Sequence, residues 1–202
     1  ILGVFIIITL LLANVMGLVQ TNAKRMLAYS SVSHAGYIAL VFFGMNALSA
    51  YTLAFYLFAY SLSTVGVFMC LIWVEKVKRE TSYAAFQGSA KTEPLLAVVA
   101  TISLLSMAGV PLTAGFMGKF SLFAQALSND SNTFLVIIAV LGSAISIAYY
   151  LRLIIAMFFY KESTFKTSEQ VTVTYKIVAL VIIVLIVVLG IFPDVFAQLA
   201  GL

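Results

Sequence analysis

Long apolar runs recur along this chain, and they constrain its fold more than any other feature of the sequence. Of its 202 residues, 63% are hydrophobic and only 9% are charged, whereas soluble domains are about 25% charged. Most of the charges lie in three short segments, at residues 24–25, 75–93 and 161–176. The stretches between these segments are long enough to cross a hydrocarbon core of about 30 Å. The sequence therefore predicts an all-α polytopic membrane protein embedded in the lipid bilayer.

Six apolar segments are predicted to cross the membrane as transmembrane helices, since each is near or above the roughly 20 residues that a crossing requires. Their predicted bounds are residues 2–19, 26–44, 51–74, 94–127, 134–160 and 177–196. The first segment starts at Ile1 without a preceding basic residue or a marked cleavage site, which does not fit a signal peptide. We expect the chain to be part of a longer subunit.

The connections between these segments alternate in charge. Lysine and arginine occur in the first, third and fifth connections, at Lys24, Arg25, Lys76, Lys78, Arg79, Lys91, Lys161, Lys166 and Lys176. The second and fourth connections, residues 45–50 and 128–133, contain neither. Because basic connections are retained on the cytoplasmic side, the alternation predicts that both ends of the chain lie outside. The net charge of +4 arises mainly in these connections, so it does not indicate binding to nucleic acid.

Polar side chains recur at helical spacing on three of the predicted spans. They are Ser30, Ser33, His34 and Tyr37 on the second span, Thr52, Tyr56, Tyr60 and Ser63 on the third, and Ser143, Ser146 and Tyr150 on the fifth. Facing lipid, these groups would lack hydrogen-bond partners. We therefore expect them to face one another around an interior that can hold water. The sixth span has no polar side chain from 177 to 192, which is typical of a peripheral helix.

The fourth predicted span, residues 94–127, is too long for a simple crossing helix and is interrupted by Gly109, Pro111 and Gly115. Proline removes a backbone donor and clashes with the preceding turn, while glycine lets the backbone leave helical geometry. Broken backbone at membrane depth is tolerated only where it is buried or lines a wet cavity, and such breaks mark ion pathways in transporters. The sequence therefore predicts a discontinuous helix.

Lys119 follows this break by about one turn and is the first candidate for a functional residue. A charged lysine near the bilayer centre costs about 2.5 to 3.5 kcal/mol on insertion scales. Burial and nearby charges shift the pKa of a lysine, so that the group can load and release a proton. The alternative is that the side chain snorkels to the outer interface, since the span continues only to about Leu127. The break and the absence of other charges in this span favour an interior, proton-carrying role.

His34 is the only histidine in the chain and the second candidate for proton transfer, because imidazole has an unperturbed pKa near neutrality. A structural histidine in a helix contact would give the same sequence pattern. Without a second histidine or a carboxylate inside a span, and with Cys70 as the only cysteine, the sequence predicts no metal site. We interpret Arg152, Lys24 and Arg25 as anchors at inner helix ends.

Two long motifs resemble the antiporter-like subunits of respiratory complex I, the NADH:quinone oxidoreductase. They are QTNAKRMLAYSSVSHAGY at residues 20–37 and SMAGVPLTAGFMGKF at residues 106–120. The segments 149–152 and 190–193 add to the resemblance. It runs along nearly the whole chain, but it covers only the carboxyl-terminal part of such a subunit.

The resemblance implies a fold. In this family, fourteen helices contain two inverted five-helix repeats. Residues 1–160 would then form the second repeat, which conducts protons, and residues 161–202 would form an inner loop and a peripheral terminal transmembrane helix. One or two of the helices would be discontinuous, because the third span is also broken in the family.

The resemblance also implies roles for individual residues. Lys119 takes the position of the family's lysine in a broken helix at the outward proton exit, and His34 lies near the central hydrophilic axis. The third span often carries an ionisable residue in the family but does not do so here, so a relay past hydroxyl groups is expected. Together with the polar stripes, the resemblance leads us to expect a supporting polar pathway, which consists of Tyr56, Tyr60, Ser61 and Ser30.

The function implied is that of a proton-translocating subunit of the oxidoreductase in the bacterial inner membrane. No cofactor is expected in this chain, and NADH, FMN, iron-sulfur clusters and quinone are expected in other subunits. The expected partners are other membrane subunits of complex I, including a neighbouring antiporter-like subunit. Two alternatives are a subunit of a multisubunit cation/proton antiporter, which shares the motifs, and a scaffold for neighbouring subunits. The family's glutamate and lysine pair of the first repeat does not occur in these residues.

Overall fold

Helices make up nearly all of the chain that the computed structural model describes, which is residues 1–160 and 171–200. The described α-helices are α1 (Leu2–Val19), α2 (Ala23–Ala39), α3 (Ser49–Lys78), α4 (Ser89–Thr92), α5 (Pro94–Ala108), α6 (Ala114–Ala126), α7 (Thr133–Phe159), α8 (Val173–Ile191) and α9 (Asp194–Ala200). Short 3-10 helices occur at Leu40–Phe43, Tyr83–Phe86 and Asp130–Asn132. Because these residues contain no β-strand, the predicted all-α class is confirmed.

The described helices agree with the predicted spans. Five of them are long and apolar enough to cross a membrane, namely α1, α2 with its 3-10 extension, α3, α7 and α8. Helices α5 and α6 together occupy the remaining predicted span, in two short pieces. Lys161 and Lys166, which contribute to the predicted charge alternation, lie outside the described residues.

The predicted helix break lies between α5 and α6. Gly109 caps the C-terminus of α5, and its φ of 85° is a left-handed conformation that glycine adopts without a Cβ clash. Helix α6 begins after Thr113, whose side chain caps its N-terminus. Gly115 lies directly against the end of α5, since a Cβ there would be 1.9 Å from the carbonyl oxygen of Ser106. Pro111 lies between the two helices, where its missing N–H interrupts no helical hydrogen bond.

Helix α3, in contrast, is one continuous helix. Of the one or two discontinuous helices that the resemblance implied, the structure therefore has one in the residues it describes, and the third span is not broken. The physical reason is that α3 contains no proline, and its one glycine, Gly66, serves a close helix contact. A Cβ at Gly66 would lie 2.1 Å from Ser103 Oγ on α5.

The bundle buries the polar faces of its central helices and exposes apolar side chains on its outer surface. Helix α1 packs against α2 and α7, while α3 packs against α5 and α6. Helix α8 contacts α5 and α6, burying Ala179, Ile182 and Ile186, and its opposite face, which includes Ile177 and Val184, is exposed. An apolar outer surface of this kind is suited to contact with lipid.

Candidate functional site

Lys119 lies in the interior of the bundle and is only 3% exposed. Its Nζ donates hydrogen bonds to Ser143 Oγ at 2.8 Å and to the carbonyl oxygen of Ala108 at 3.2 Å. None of the carboxylates in the described residues forms an ion pair with it. The side chain therefore does not snorkel to the outer interface, and its hydrogen-bond partners are neutral oxygen atoms.

The helix break supplies one of these partners. The last carbonyl groups of a helix have no intrahelical donor, and Ala108 is the last residue of α5. The turn at Gly109 lies against the lysine side chain, since a Cβ there would be 3.1 Å from Lys119 Cδ. Ser143 also donates to the Ala108 carbonyl oxygen, at 3.1 Å, so that amine, hydroxyl and carbonyl form a closed triangle. The broken helix thus offsets part of the cost of burying the amine.

His34 lies on α2 and is also 3% exposed. Its Nδ1 shares a hydrogen bond of 2.7 Å with the Tyr56 hydroxyl, and its Nε2 lies 3.4 Å from the Tyr150 hydroxyl. The Tyr150 hydroxyl is also hydrogen-bonded to Ser30 Oγ. The Tyr60 ring stacks on the imidazole, with 4.4 Å between the ring centroids. Helices α2, α3 and α7 therefore bring His34 together with three of its four predicted supporting residues and with Tyr150.

Ser61 is the predicted supporting residue that the structure does not bring to this cluster. It is exposed on α3, while its neighbour Tyr60 contacts His34. The reason is that successive residues of a helix with 3.6 residues per turn point about 100° apart. The structure therefore places Tyr60, and not Ser61, beside His34.

We call Lys119, Ser143 and the Ala108 carbonyl group the Lys119 cluster, and His34 with Ser30, Tyr56, Tyr60 and Tyr150 the His34 cluster. Both clusters contact Tyr37, which is fully buried. Lys119 Nζ lies 4.7 Å from the centroid of the Tyr37 ring, which is within cation–π range. The His34 ring contacts the same ring edge-on, with 5.8 Å between centroids. Within the described chain, no hydrogen bond joins the two clusters. Amine and imidazole groups can both take up and release protons, so the arrangement is suited to proton transfer across the bundle interior.

Comparisons with known proteins agree with this architecture. The family model described as "NADH:quinone oxidoreductase/Mrp antiporter, TM" matches residues 1–146. The chain belongs to the NADH:quinone oxidoreductase/Mrp antiporter family of transmembrane proteins. Within this family, NADH-quinone oxidoreductase subunit N of Flavobacterium psychrophilum is 41% identical over 194 residues, which cover 96% of this chain and 42% of the relative. The resemblance carried by the two long motifs is therefore confirmed.

Solved structures of the antiporter family share the fold. A chain of respiratory complex I from Thermus thermophilus with bound aureothin is 32% identical, with a TM-score of 0.82 over 96% of this chain and 43% of that one. A chain of the Mrp complex from Dietzia sp. DQ12-45-1b has a TM-score of 0.85 over 99% of this chain and 45% of that one. Its identity of 20% shows a common fold alone. This chain thus spans about two fifths of the length of the relatives it matches.

Asn14 is a buried polar residue that the predicted polar stripes did not include. In this antiporter-family chain it lies on α1 with 0% exposure, its Nδ2 donates to the carbonyl oxygen of Leu10 at 2.7 Å, and its Oδ1 accepts from the Tyr149 hydroxyl at 3.0 Å. Gly142 on α7 permits this packing, since a Cβ there would be 3.0 Å from Asn14 Nδ2. The signal in the sequence was a single amide side chain within an apolar first span.

Two cavities reach the two clusters. One, of about 360 Å³, is lined by Lys24, Ser31 and Tyr60 among others, and Tyr60 is the residue whose ring stacks on the imidazole. The second, of about 320 Å³, contains Lys119 and Ser143 among apolar side chains of α6 and α7. Each cluster of this family member therefore has open space beside it.

Two of the three predicted basic anchors, Arg152 and Lys24, have defined side-chain partners. Arg152 donates from Nη1 to the carbonyl oxygen of Leu18 at 2.5 Å, and its guanidinium lies 5.1 Å from the Tyr83 ring centroid. Burial raises the pKa of Tyr83 to about 12, against the opposing effect of the Arg152 charge. Lys24 forms an exposed ion pair with Glu75 at 3.0 Å. Arg152 thus ties α1 and α7 to the connection that follows α3.

Proposed function

We propose that this chain is part of a proton-translocating membrane subunit of NADH:quinone oxidoreductase, and that Lys119 carries the proton. The observation behind the proposal is that the Lys119 amine is buried among neutral oxygen atoms. Taking a charged amine out of water costs several kcal/mol, and hydrogen bonds from a charged donor return only about 1.5–3 kcal/mol each. The protonation of Lys119 therefore responds to changes in the charge around it.

His34 is the relay group in this proposal. A proton enters from the cavity beside Tyr60 and reaches the imidazole, which takes up a proton at one ring nitrogen and releases one from the other. The hydroxyl groups of Tyr56 and Tyr150, with Ser30 behind Tyr150, hold the ring in place. Lys119 then receives the proton and releases it outward.

The same proposal gives the chain an orientation in the membrane and a set of partner subunits. The basic connections lie on the cytoplasmic side of a bacterial inner membrane, and both ends of this segment lie outside. NADH, FMN, iron-sulfur clusters and quinone belong to other subunits of the complex. The free energy of quinone reduction reaches this chain through neighbouring membrane subunits, one of them antiporter-like. The oxidoreductase name of the Flavobacterium relative supports this assignment.

The test is Lys119→Ala in the full-length subunit within the assembled complex. We expect proton transport per NADH oxidised to be lost or sharply reduced, with normal assembly. The matched control is Lys91→Ala, which removes an exposed lysine from a basic connection. Normal transport by Lys119→Ala would contradict the proposal. A loss of assembly with unchanged transport per assembled complex would favour the scaffold interpretation.

A subunit of a multisubunit cation/proton antiporter is the second candidate, because the Mrp chain shares this fold. Purification of the native complex separates the two. Peripheral subunits that carry flavin and iron-sulfur clusters support the oxidoreductase. Their absence, together with sodium-dependent proton exchange, supports the antiporter.

A further inference from the structure

The hydroxyl of Tyr37 is buried and makes no hydrogen bond of good geometry in the described part of the chain, although the side chains of Asn14 and Ser143 lie near it. An unpaired buried polar group costs about 1–3 kcal/mol, and such a group in a native structure requires an explanation. Packing does not provide one, because a phenylalanine ring would fill the same space without the penalty. The contacts of the Tyr37 ring with Lys119 and His34 likewise require the ring and not the hydroxyl.

The position of this residue provides the explanation. Tyr37 contacts both proton-transfer candidates, at 4.7 Å from Lys119 Nζ to the ring centroid and 5.8 Å between its centroid and that of His34. No hydrogen bond in the described residues crosses from one cluster to the other. The Tyr37 ring is thus a contact that the two clusters share.

The hydroxyl has polar neighbours on α1 and α7. A Cβ on Gly142 would lie 3.3 Å from the Tyr37 hydroxyl and 3.0 Å from Asn14 Nδ2, so both groups approach α7 at the same point. The next residue, Ser143, is the hydrogen-bond partner of Lys119. The unpaired hydroxyl thus lies beside the helix segment that holds the lysine.

We propose that the Tyr37 hydroxyl is a proton-transfer group that joins the Lys119 and His34 clusters by way of bound water. This inference rests on the proposed function. In each transfer, the hydroxyl oxygen accepts a proton from a water on one side and releases its own proton to a water on the other. Tyr37 is unchanged afterwards and one proton has moved. The ring contacts both the amine and the imidazole, and the hydroxyl carries the proton between them.

Tyr37→Phe in the full-length subunit of the assembled complex tests this inference, because it removes the hydroxyl and keeps the ring. The matched control is Tyr51→Phe, which removes a hydroxyl that donates to the carbonyl oxygen of Pro193 at 3.3 Å. If the two hydroxyls served structure alone, Tyr51→Phe would be the more harmful change, since of the two only the Tyr51 hydroxyl makes a hydrogen bond of good geometry in the described residues. We expect the opposite order. Tyr37→Phe should slow proton transport by at least about tenfold, and Tyr51→Phe should transport at close to the wild-type rate.

Two further quantities are measured on the Tyr37→Phe complex alongside proton transport. Electron transfer from NADH to quinone, measured with an uncoupler present, and the thermal unfolding midpoint of the complex should both be unchanged in Tyr37→Phe. Wild-type transport by Tyr37→Phe would overturn the inference, and so would a failure of this variant to assemble, since the hydroxyl would then be structural. Either result leaves the proposed function standing as long as Lys119→Ala abolishes transport. Normal transport by Lys119→Ala would overturn the proposed function itself.

Discussion

Ser143 is the side chain on which the buried amine of Lys119 most depends. It accepts a hydrogen bond from Lys119 Nζ at 2.8 Å and donates one to the Ala108 carbonyl oxygen at 3.1 Å. We predict that Ser143→Ala slows proton transport by about tenfold, since a hydrogen bond to a charged group contributes about 1.5–3 kcal/mol. The defect should be smaller than that of Lys119→Ala, because the Ala108 carbonyl is retained. Transport assays on membrane vesicles measure both.

The control for this prediction is Ser121→Ala. Ser121 lies on α6 close to Lys119, but its Oγ donates to a carbonyl of its own helix, that of Met117, at 2.9 Å. Its removal should leave transport unchanged. Equal transport defects in Ser121→Ala and Ser143→Ala would show that the contact between Ser143 and Lys119 has no special role.

Much of the candidate site could be predicted from the sequence at the residue scale. Lys119 and His34 are charged or titratable groups in apolar spans, where the cost of burial makes them conspicuous. Spacing identified the face that bears Tyr60, but the adjacent Ser61 lies on the exposed side of the same helix. Asn14 was missed because one amide in an apolar span forms no periodic pattern. Its partner on α7 becomes apparent only from the packing of distant segments.

The broken helix is the element that positions Lys119, and Gly115 is its closest contact. A Cβ at Gly115 would lie 1.9 Å from the backbone oxygen of Ser106, which cannot move as a flexible side chain does. We predict that Gly115→Ala destabilises the complex by about 3 kcal/mol or more and lowers the amount that assembles in membranes. Thermal unfolding of the purified complex and its yield measure this effect.

Gly3→Ala is the matched control for the effect of an added methyl group. A Cβ there would make an ordinary contact of 3.5 Å with Phe43. Assembly should therefore be normal in Gly3→Ala. If Gly115→Ala assembled equally well, the close approach of α5 and α6 would not be needed.

The sequence predicted the helix break, the spans and the helix ends with different accuracy, and each difference has a physical reason. Gly109, Pro111 and Gly115 within one span predicted the break, because each relaxes or prevents helical geometry. The family resemblance implied one or two broken helices, and α3, which lacks such residues apart from Gly66, is continuous. Apolar runs gave the existence of each span. The predicted helix ends were less accurate, because helix ends depend on capping contacts such as that of Thr113 on α6.

The orientation of the whole molecule is predicted by the charged connections alone, and cysteine labelling tests it. Ala47 and Glu80 are exposed residues in connections of opposite type, and the native Cys70 is buried. In spheroplasts, whose inner membrane is intact, Ala47→Cys should react with a membrane-impermeant thiol reagent. Glu80→Cys should react only after the membrane is permeabilised. The reverse pattern would invert the proposed direction of transport.

The central claim is that Lys119 moves protons by changing its own protonation, and Lys119→Arg tests this most directly. Arginine keeps the positive charge but is not deprotonated in proteins. The measurement is acidification of inverted membrane vesicles per NADH oxidised, with equal amounts of assembled complex. The account predicts that Lys119→Arg transports as poorly as Lys119→Ala. Transport restored to the wild-type level by arginine would contradict it, because a fixed charge would then be sufficient.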